Sequence, residues 1–313
     1  MRVIGYSEVV DALDFASLIE ALRQMFRSSC EVPPRQHYSI PTVGGGADAS
    51  LLVMPAWQAG RHIGVKLITA FPDNADAGLP TFMGAYLLLD GRTGKPLAAL
   101  DGPALTLRRT AAASALAAGY LARPDCERLL IVGTGALVSH LIEAHAAVRP
   151  IRNVLIWGRN FAKAKRTAQR LDRRSLKVAA TDDLAAAVRG AHVISCATAA
   201  TEPVIRGAWL PLGVHLDLVG GFTPAMREAD DDVLRRGRVF VDTREACREA
   251  GDIVQPLRDG ILGEDDVAGD LFELTRGTRS GRRYHDQITV FKSVGTALED
   301  LAAAQLALER VIN

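Results

Sequence analysis

The run Gly133-Thr134-Gly135-Ala136-Leu137-Val138 closes a short apolar segment, Leu129 to Val132, and opens a stretch of helical character. Glycines let a backbone approach a pyrophosphate closely, and the unpaired N–H groups of a helix N-terminus point at it. A strand, a glycine turn and a helix in that order therefore make an anion site. Val138 stands where the usual pattern has a third glycine or alanine, which is expected to set helix and strand slightly farther apart. About twenty residues further on, an NAD-specific site carries an acid that accepts from the ribose 2′-OH. Here the second strand ends in Trp157-Gly158-Arg159-Asn160. An acid at that point would repel a 2′-phosphate, whereas Arg159 offers it a charge-assisted pair, with Lys163 or Lys165 in support. The preferred cofactor is therefore NADP(H), with NAD(H) as the alternative.

A second kind of chemistry is suggested by cations set inside apolar runs. In HIGVKLITAF, alternation puts Ile63, Val65 and Leu67 on one face and Lys66 on the other with Gly64 and Ile68. A buried ammonium there needs a carboxylate partner. Arg109 opens the alanine-rich stretch LTLRRTAAAS, whose small neighbours leave room for a guanidinium to hold a carboxylate through two parallel bonds. Arg35, after Pro33-Pro34, is a third candidate on a stiff segment. Spacing alone does not bring these three together, and each taken singly is an ordinary solvated or ion-paired cation. His140 and His145 are five apart, off the i, i+4 spacing of helical metal ligands, and read as surface or packing residues. Cys196, within HVISCAT, reads as a packing thiol, and Trp57, Trp157 and Trp209 as structural. No metal site is expected.

The elements that must carry these residues fall into two halves. With 313 residues the chain is long enough for two domains. After Asp14, a capping residue, Phe15, Leu18, Ile19, Leu22 and Phe26 follow helical spacing. From Val32 to Leu100, β-like runs at Ser50 to Met54, His62 to Ile68, Ala85 to Asp90 and Leu97 to Leu100 are punctuated by Gly44-Gly45-Gly46, Gly78 and Asp90-Gly91, a pattern for a mostly antiparallel sheet. The segment Thr106 to Leu121 predicts a close-packed helix joining the halves. From Arg128 onward strands alternate with helical segments, which is the mark of βαβ units and a doubly wound parallel sheet. The fold class is α/β: a Rossmann dinucleotide-binding domain over residues 121–294 and an α+β substrate-binding and dimerisation domain over 1–120 with 295–313. Lys plus Arg is 37 and Asp plus Glu 36, a balance that argues against a nucleic-acid partner. No apolar run approaches the roughly 18 residues of a membrane span. Glu8, Asp11 and Asp14 interrupt the place of a signal peptide, so the expected location is cytoplasmic.

The stretches GVKLITAFPDN, GLPTFMGAYLLLDGRTGKPLAALDGPALTLRRTAAASALAAGYLAR, LLIVGTGALVSHLIEAHAAVRPI, LIWGR and FKSVGTALEDLA together resemble the ornithine cyclodeaminase and mu-crystallin family along nearly the whole chain. The resemblance implies a homodimer paired through the first domains and a small imino- or amino-acid substrate. It places the family's carboxylate-binding residues on Arg35, Lys66 and Arg109, with Lys66 and Arg109 catalytic. Cofactor contacts fall on Thr81, on Gly133, Thr134, Gly135, Ala136 and Leu137, on Arg159, and on Ser293 and Val294.

One departure separates members of this family. Ornithine cyclodeaminases resemble each other in an Asp shortly after the glycine pair that follows a VHLDLVGG-like strand; here Gly220-Gly221 is followed by Phe222. A phenyl ring can neither accept a proton nor pair with an ammonium as a carboxylate does. The GGFTPxMRE form is similar to the family's ketimine reductases, which implies NAD(P)H-dependent reduction of a cyclic ketimine carboxylate such as 1-pyrroline-2-carboxylate to L-proline. The alternatives are an ornithine cyclodeaminase whose acid is Asp217, Glu228 or Asp230, an alanine-dehydrogenase-like oxidoreductase, and a non-catalytic NADPH-dependent ligand binder.

Overall fold

The computed structural model describes residues 1–42, 46–173 and 176–312, so Gly44 and Gly45 of the expected glycine turn lie outside the described residues. The chain divides into two compact units, Met1–Arg109 with Thr296–Asn313, and Thr110–Gly295.

In the first unit, six strands, β1 (Arg2–Ile4), β2 (Gln36–Ile40), β3 (Ala49–Gln58), β4 (His62–Ala70), β5 (Phe82–Asp90) and β6 (Pro96–Asp101), form one sheet in the order β1-β6-β5-β4-β3-β2. Among the described residues of this unit, only the β1–β6 pairing is parallel. Helices α1 (Tyr6–Ala12) and α2 (Phe15–Arg27) precede the sheet's main strands. Asp14 caps α2 as its spacing predicts, its side chain accepting from the Ser17 N–H at 3.0 Å, and Phe15, Leu18, Ile19, Leu22, Met25 and Phe26 form the buried stripe. Helix α3 (Gly102–Leu121) runs from this unit into the next. Its alanines at 111, 112, 113, 115, 117 and 118 are all buried, small side chains that let neighbouring elements pack close to the helix.

The second unit holds β7 (Arg128–Val132), α4 (Leu137–Val148), β8 (Asn153–Trp157), α5 (Phe161–Leu171), β9 (Lys177–Thr181), α6 (Leu184–Gly190), β10 (Val193–Cys196) and β11 (His215–Leu218). There follow α7 (Asp231–Arg236), β12 (Arg238–Val241), α8 (Ala246–Glu249), α9 (Gly251–Arg258), β13 (Val267–Asp270), α10 (Leu271–Arg276) and β14 (Thr289–Lys292). The eight strands, all parallel, lie in the order β13-β12-β14-β11-β10-β7-β8-β9. This is the doubly wound Rossmann arrangement, whose order reverses between β7 and β10. Strands such as Leu129–Val132, Val193–Cys196 and Val239–Val241 are buried along their whole lengths, as a sheet covered on both faces requires.

The last helix, α11 (Ala297–Ile312), returns to the first unit and packs on α2, β3 and β4. No helix among the described residues is long and apolar enough to cross a membrane.

Candidate functional site

Lys66 sits in mid-β4, opposite Met54 on β3 and Tyr86 on β5. Strand alternation turns Gly64 and Lys66 to the covered face and Leu67 to solvent. The carboxylate that such a lysine needs comes from α11: Asp300 Oδ2 lies 2.6 Å from Lys66 Nζ. Arg109, in α3, donates from Nε to the other oxygen of Asp300 at 3.0 Å and from Nη1 to Glu299 Oε2 at 2.8 Å. Asp300 thus bridges two cations that are only 1% and 6% exposed. The charges of Lys66, Arg109, Asp300 and Glu299 cancel, the condition under which four ions can share a dry interior. Burial pulls the Lys66 ammonium down to about 8, with Asp300 opposing and Arg109 reinforcing the shift. Burial by itself would raise the Asp300 carboxyl, but Lys66 and Arg109 outweigh it and hold the group below its ordinary range. Lys66 and Arg109 also carry more N–H donors than these pairs use, so the cluster retains capacity for a further anion.

Tyr86 completes the row. Its buried hydroxyl lies where Gly64 has no side chain, and burial pushes the phenol well above its usual range. Arg35 is half-buried at the entry to edge strand β2. Gln36 pairs with Val53, so Arg35 continues the row of Met54 and Lys66 one step further. Two strand spacings put it about 10 Å from Lys66. Thr81 lies at the end of the loop between β4 and β5, where its carbonyl accepts from the Phe71 N–H at 2.9 Å.

In the second unit the glycine loop leaves the C-terminal end of β7, next to the point where strand order reverses. Gly133 has φ +137°, and a Cβ there would lie 2.6 Å from the Ala197 carbonyl oxygen, so the loop closes on the end of β10 with room for glycine alone. A Cβ at Gly135 would meet nothing within 4 Å, and Gly135 and Ala136 are exposed. Ala136 is the N-cap of α4 and supplies no side-chain cap; the Val138 N–H donates to the Gly135 carbonyl at 3.3 Å, and other N–H groups of the first turn of this 12-residue helix face outward for an anion. An open cradle with uncapped donors fits a dinucleotide pyrophosphate. Thr134 and Leu137 are half-buried beside it. Val138 is buried. Gly158 packs on the loop, since a Cβ there would be 2.6 Å from Thr134 Cγ2. The next residue, Arg159, is exposed and precedes Asn160, whose Oδ1 caps α5 by accepting from the Lys163 N–H at 3.0 Å.

Ser293 and Val294 follow β14 at the same edge of the sheet. The Ser293 N–H donates to the Leu218 carbonyl at 3.3 Å, and the Val294 and Gly295 N–H groups donate to Asp242 Oδ2 at 2.8 and 2.6 Å. Among the three acids weighed as substitutes at the Phe222 position, Asp217 is buried and accepts from Ser195 Oγ at 2.6 Å and Ser114 Oγ at 3.1 Å. Glu228 is buried under Thr198, and Asp230 caps α7. All three have structural partners. His140 and His145 are buried, His145 lying 3.4 Å from Asp217, which makes both packing residues. Cys196 is fully buried, and burial drives its thiol well above the ordinary range.

The structure therefore brings Lys66 and Arg109 together within one unit, and the Gly133–Leu137 loop and Arg159 together within the other. Sequence reasoning missed Glu299, Asp300 and Tyr86. A signal for the acids was present: two adjacent carboxylates in ALEDLAAAQLAL, a helix otherwise apolar on almost every face.

Relatives of known name share this architecture. The Delta(1)-pyrroline-2-carboxylate reductase of Paracoccus denitrificans is 39% identical over 305 residues, covering 97% of this chain and 95% of that one. The structure of the Thermococcus litoralis Delta(1)-pyrroline-2-carboxylate reductase in complex with NADH and L-proline superposes with a TM-score of 0.92 at 30% identity, covering 100% and 98% of the two chains. An archaeal alanine dehydrogenase dimer with bound NAD superposes at 0.90 with 28% identity, covering 100% and 96%. The profile of the ornithine cyclodeaminase/mu-crystallin family matches residues 3–313, and with a doubly wound unit, a glycine cradle and a buried lysine–arginine pair in place, the chain belongs to that family.

Proposed function

We propose that this enzyme is a nicotinamide-dependent oxidoreductase acting on C=N bonds, and that it reduces cyclic ketimine carboxylates, with 1-pyrroline-2-carboxylate to L-proline as the type reaction. The observation that carries the reading is the Lys66–Arg109 pair, fixed by one bridging carboxylate and retaining N–H donors for a second. The relatives named for this reduction extend along the whole chain and support the same conclusion. In the proposed pose Lys66 and Arg109 hold the substrate carboxylate and Arg35 adds charge, which orients the imine carbon. When bound, the cofactor supplies the hydride. The imine carbon takes it and the ring nitrogen gains a proton, so C=N becomes CH–NH. Lys66, its ammonium brought down to about 8, is the donor we name on this chain, and water is the other source.

Arg159, exposed at the end of β8 with no acid in its place, favours NADP(H) over NAD(H). Thr81, Ser293 and Val294 complete the proposed cofactor contacts. The chain acts as a homodimer: the outer face of the first unit's sheet carries the rows Leu51–Thr69–Met83, Val53–Leu67–Ala85 and Pro55–Val65–Leu87, with Leu67 43% exposed, an apolar surface of the kind that a second copy covers. A cytoplasmic location accompanies this metabolic role.

The test is oxidation of NADPH and of NADH with 1-pyrroline-2-carboxylate, run beside ammonia release from L-ornithine with NAD. Rapid NADPH oxidation without ammonia is expected. Ammonia release without reduction of the imine would replace this reading with a cyclodeaminase, and equal kcat/KM with the two nucleotides would remove the NADP(H) preference.

A further inference from the structure

At the C-terminal edge of the parallel sheet, three ionisable side chains that no step of the proposed reaction uses are buried together: Glu228, Asp252 of α9, and Lys292, the last residue of β14. All of them grip the loop that follows β11. Lys292 Nζ donates to the Gly220 carbonyl and lies 3.3 Å from Asp252 Oδ2. Asp252 Oδ1 accepts from the N–H groups of Glu228 at 2.8 Å and Ala229 at 3.0 Å. Glu228 Oε1 accepts from both the N–H and the hydroxyl of Thr198, at 2.7 and 2.8 Å. Between these anchors, the Thr223 carbonyl accepts from the Gly251 N–H at 3.1 Å, and the Pro224 carbonyl from Gln255 Nε2 at 2.8 Å. Gly221 has φ +57°, and a Cβ there would lie 2.5 Å from Asp252 Oδ2, so the cluster and the glycine are fitted to one another. The next residue is Phe222, 44% exposed on a backbone tied down on both sides. Thr198 follows Ala197, whose carbonyl closes on Gly133, so the same anchor is one residue from the glycine cradle.

We propose that Lys292, Asp252 and Glu228 are positioning residues that lock the Gly220–Ala229 loop beside the glycine cradle and so hold the Phe222 ring in a fixed place. The kinetic readout rests on the reductase reading; the lock does not. With two carboxylates and one ammonium, the cluster is neutral only when one acid is protonated. Burial raises Glu228 to about 7, Lys292 opposing and Asp252 adding to the shift. Its Oε2 has no hydrogen-bond partner among the described residues, as suits a neutral carboxyl. The groups that face it are Thr198 and Cys196 at the end of β10, Asp252 on α9 and Lys292 on β14. Above neutrality the cluster acquires a net negative charge, and the loop loosens.

The experiment compares the full-length wild type with Glu228→Gln and Glu228→Ala, by amide hydrogen exchange over residues 221–227 and by steady-state kinetics across pH. In the wild type, loop exchange corrected for the intrinsic rate is expected to rise about tenfold between about pH 6 and pH 9. Glu228→Gln, which keeps an acceptor for Thr198 and has no proton to lose, is expected to stay flat, with kcat following loop protection and the nucleotide KM unchanged. Glu228→Ala is expected to lose protection at every pH; if it does not fold, the glutamine variant decides alone. Superimposable exchange profiles for wild type and Glu228→Gln would overturn the lock. Loop protection that follows Glu228 while kcat does not would overturn its bearing on turnover.

Discussion

Each compact unit buries a lysine among carboxylates, yet the two clusters are built on different arithmetic. In the first, Lys66 and Arg109 face Asp300 and Glu299, so every formal charge has its opposite. In the second, Lys292 faces both Asp252 and Glu228, and a proton must make up the deficit. A balanced cluster depends on every member, whereas an unbalanced one needs a proton to reach neutrality. The first suits a site that must present fixed positive donors. The second suits a support that holds backbone in place.

The strongest way to break this contrast is Asp300→Ala. It strands Lys66 and Arg109 in a dry interior beside Glu299 alone, and removing one partner of a buried ionic set costs about 3–5 kcal/mol. Chemical denaturation followed on the first unit's signal measures it, and a loss below about 1 kcal/mol would mean that the cluster is not a set of mutually dependent ions. Arg109→Ala comes next, with kcat/KM for the imine expected to fall about a hundredfold through loss of a charge-assisted carboxylate contact. An unchanged kcat/KM would leave the first cluster a purely structural device. Arg159→Ala tests the exposed counterpart of that buried arginine. The KM for NADPH should rise about tenfold while that for NADH stays within about twofold, and a parallel rise in both would discard the 2′-phosphate contact.

The smallest effects are in the pH dependence of stability, where the two lysine clusters should pull in opposite directions. Glu228 binds its proton more tightly when folded, so between its ordinary value near 4.5 and about 7 its contribution makes the protein less stable as pH rises. Lys66 holds its proton less tightly when folded, so between about 8 and the ordinary 10.5 its contribution makes the protein more stable as pH rises. Thermal unfolding of wild type against Glu228→Gln should show a gap that opens across the lower window and stays constant above it. A gap that does not change with pH would refute the titration of Glu228.

Much of the framework is legible because it repeats. The helical spacing of Phe15, Leu18, Ile19, Leu22 and Phe26, and the alternation of strands and helices after Arg128, are local patterns that burial of one face dictates. The glycine loop was legible for the same reason, since strand, turn and helix are contiguous. Strands β1 and β2 and helix α1 were not, being three, five and seven residues long with too few apolar positions for a period. The site was half legible. Lys66 announces itself as a cation in an apolar strand, but its partner Asp300 is far away in sequence, and Arg109 is separated from that same carboxylate by 191 positions. No local pattern encodes such a pairing. The loop cluster was hidden in the same way, because Glu228, Asp252 and Lys292 meet only once the parallel strands have brought their ends to one edge.

The return of α11 to the first unit has a consequence for how the molecule is made. Residues 110–295 form a contiguous unit that can complete itself while synthesis continues, but the first unit contains strands from the beginning of the chain and a helix from its end. On the ribosome, Lys66 waits for nearly the whole chain before its counter-ion emerges, and until then β3 and β4 lack the helix that packs on them. Residues 1–109 are thus translated before residues 110–295 yet become native after them, and a nascent chain stalled before residue 296 should hold a folded nucleotide-binding unit and an open sheet that chaperones recognise.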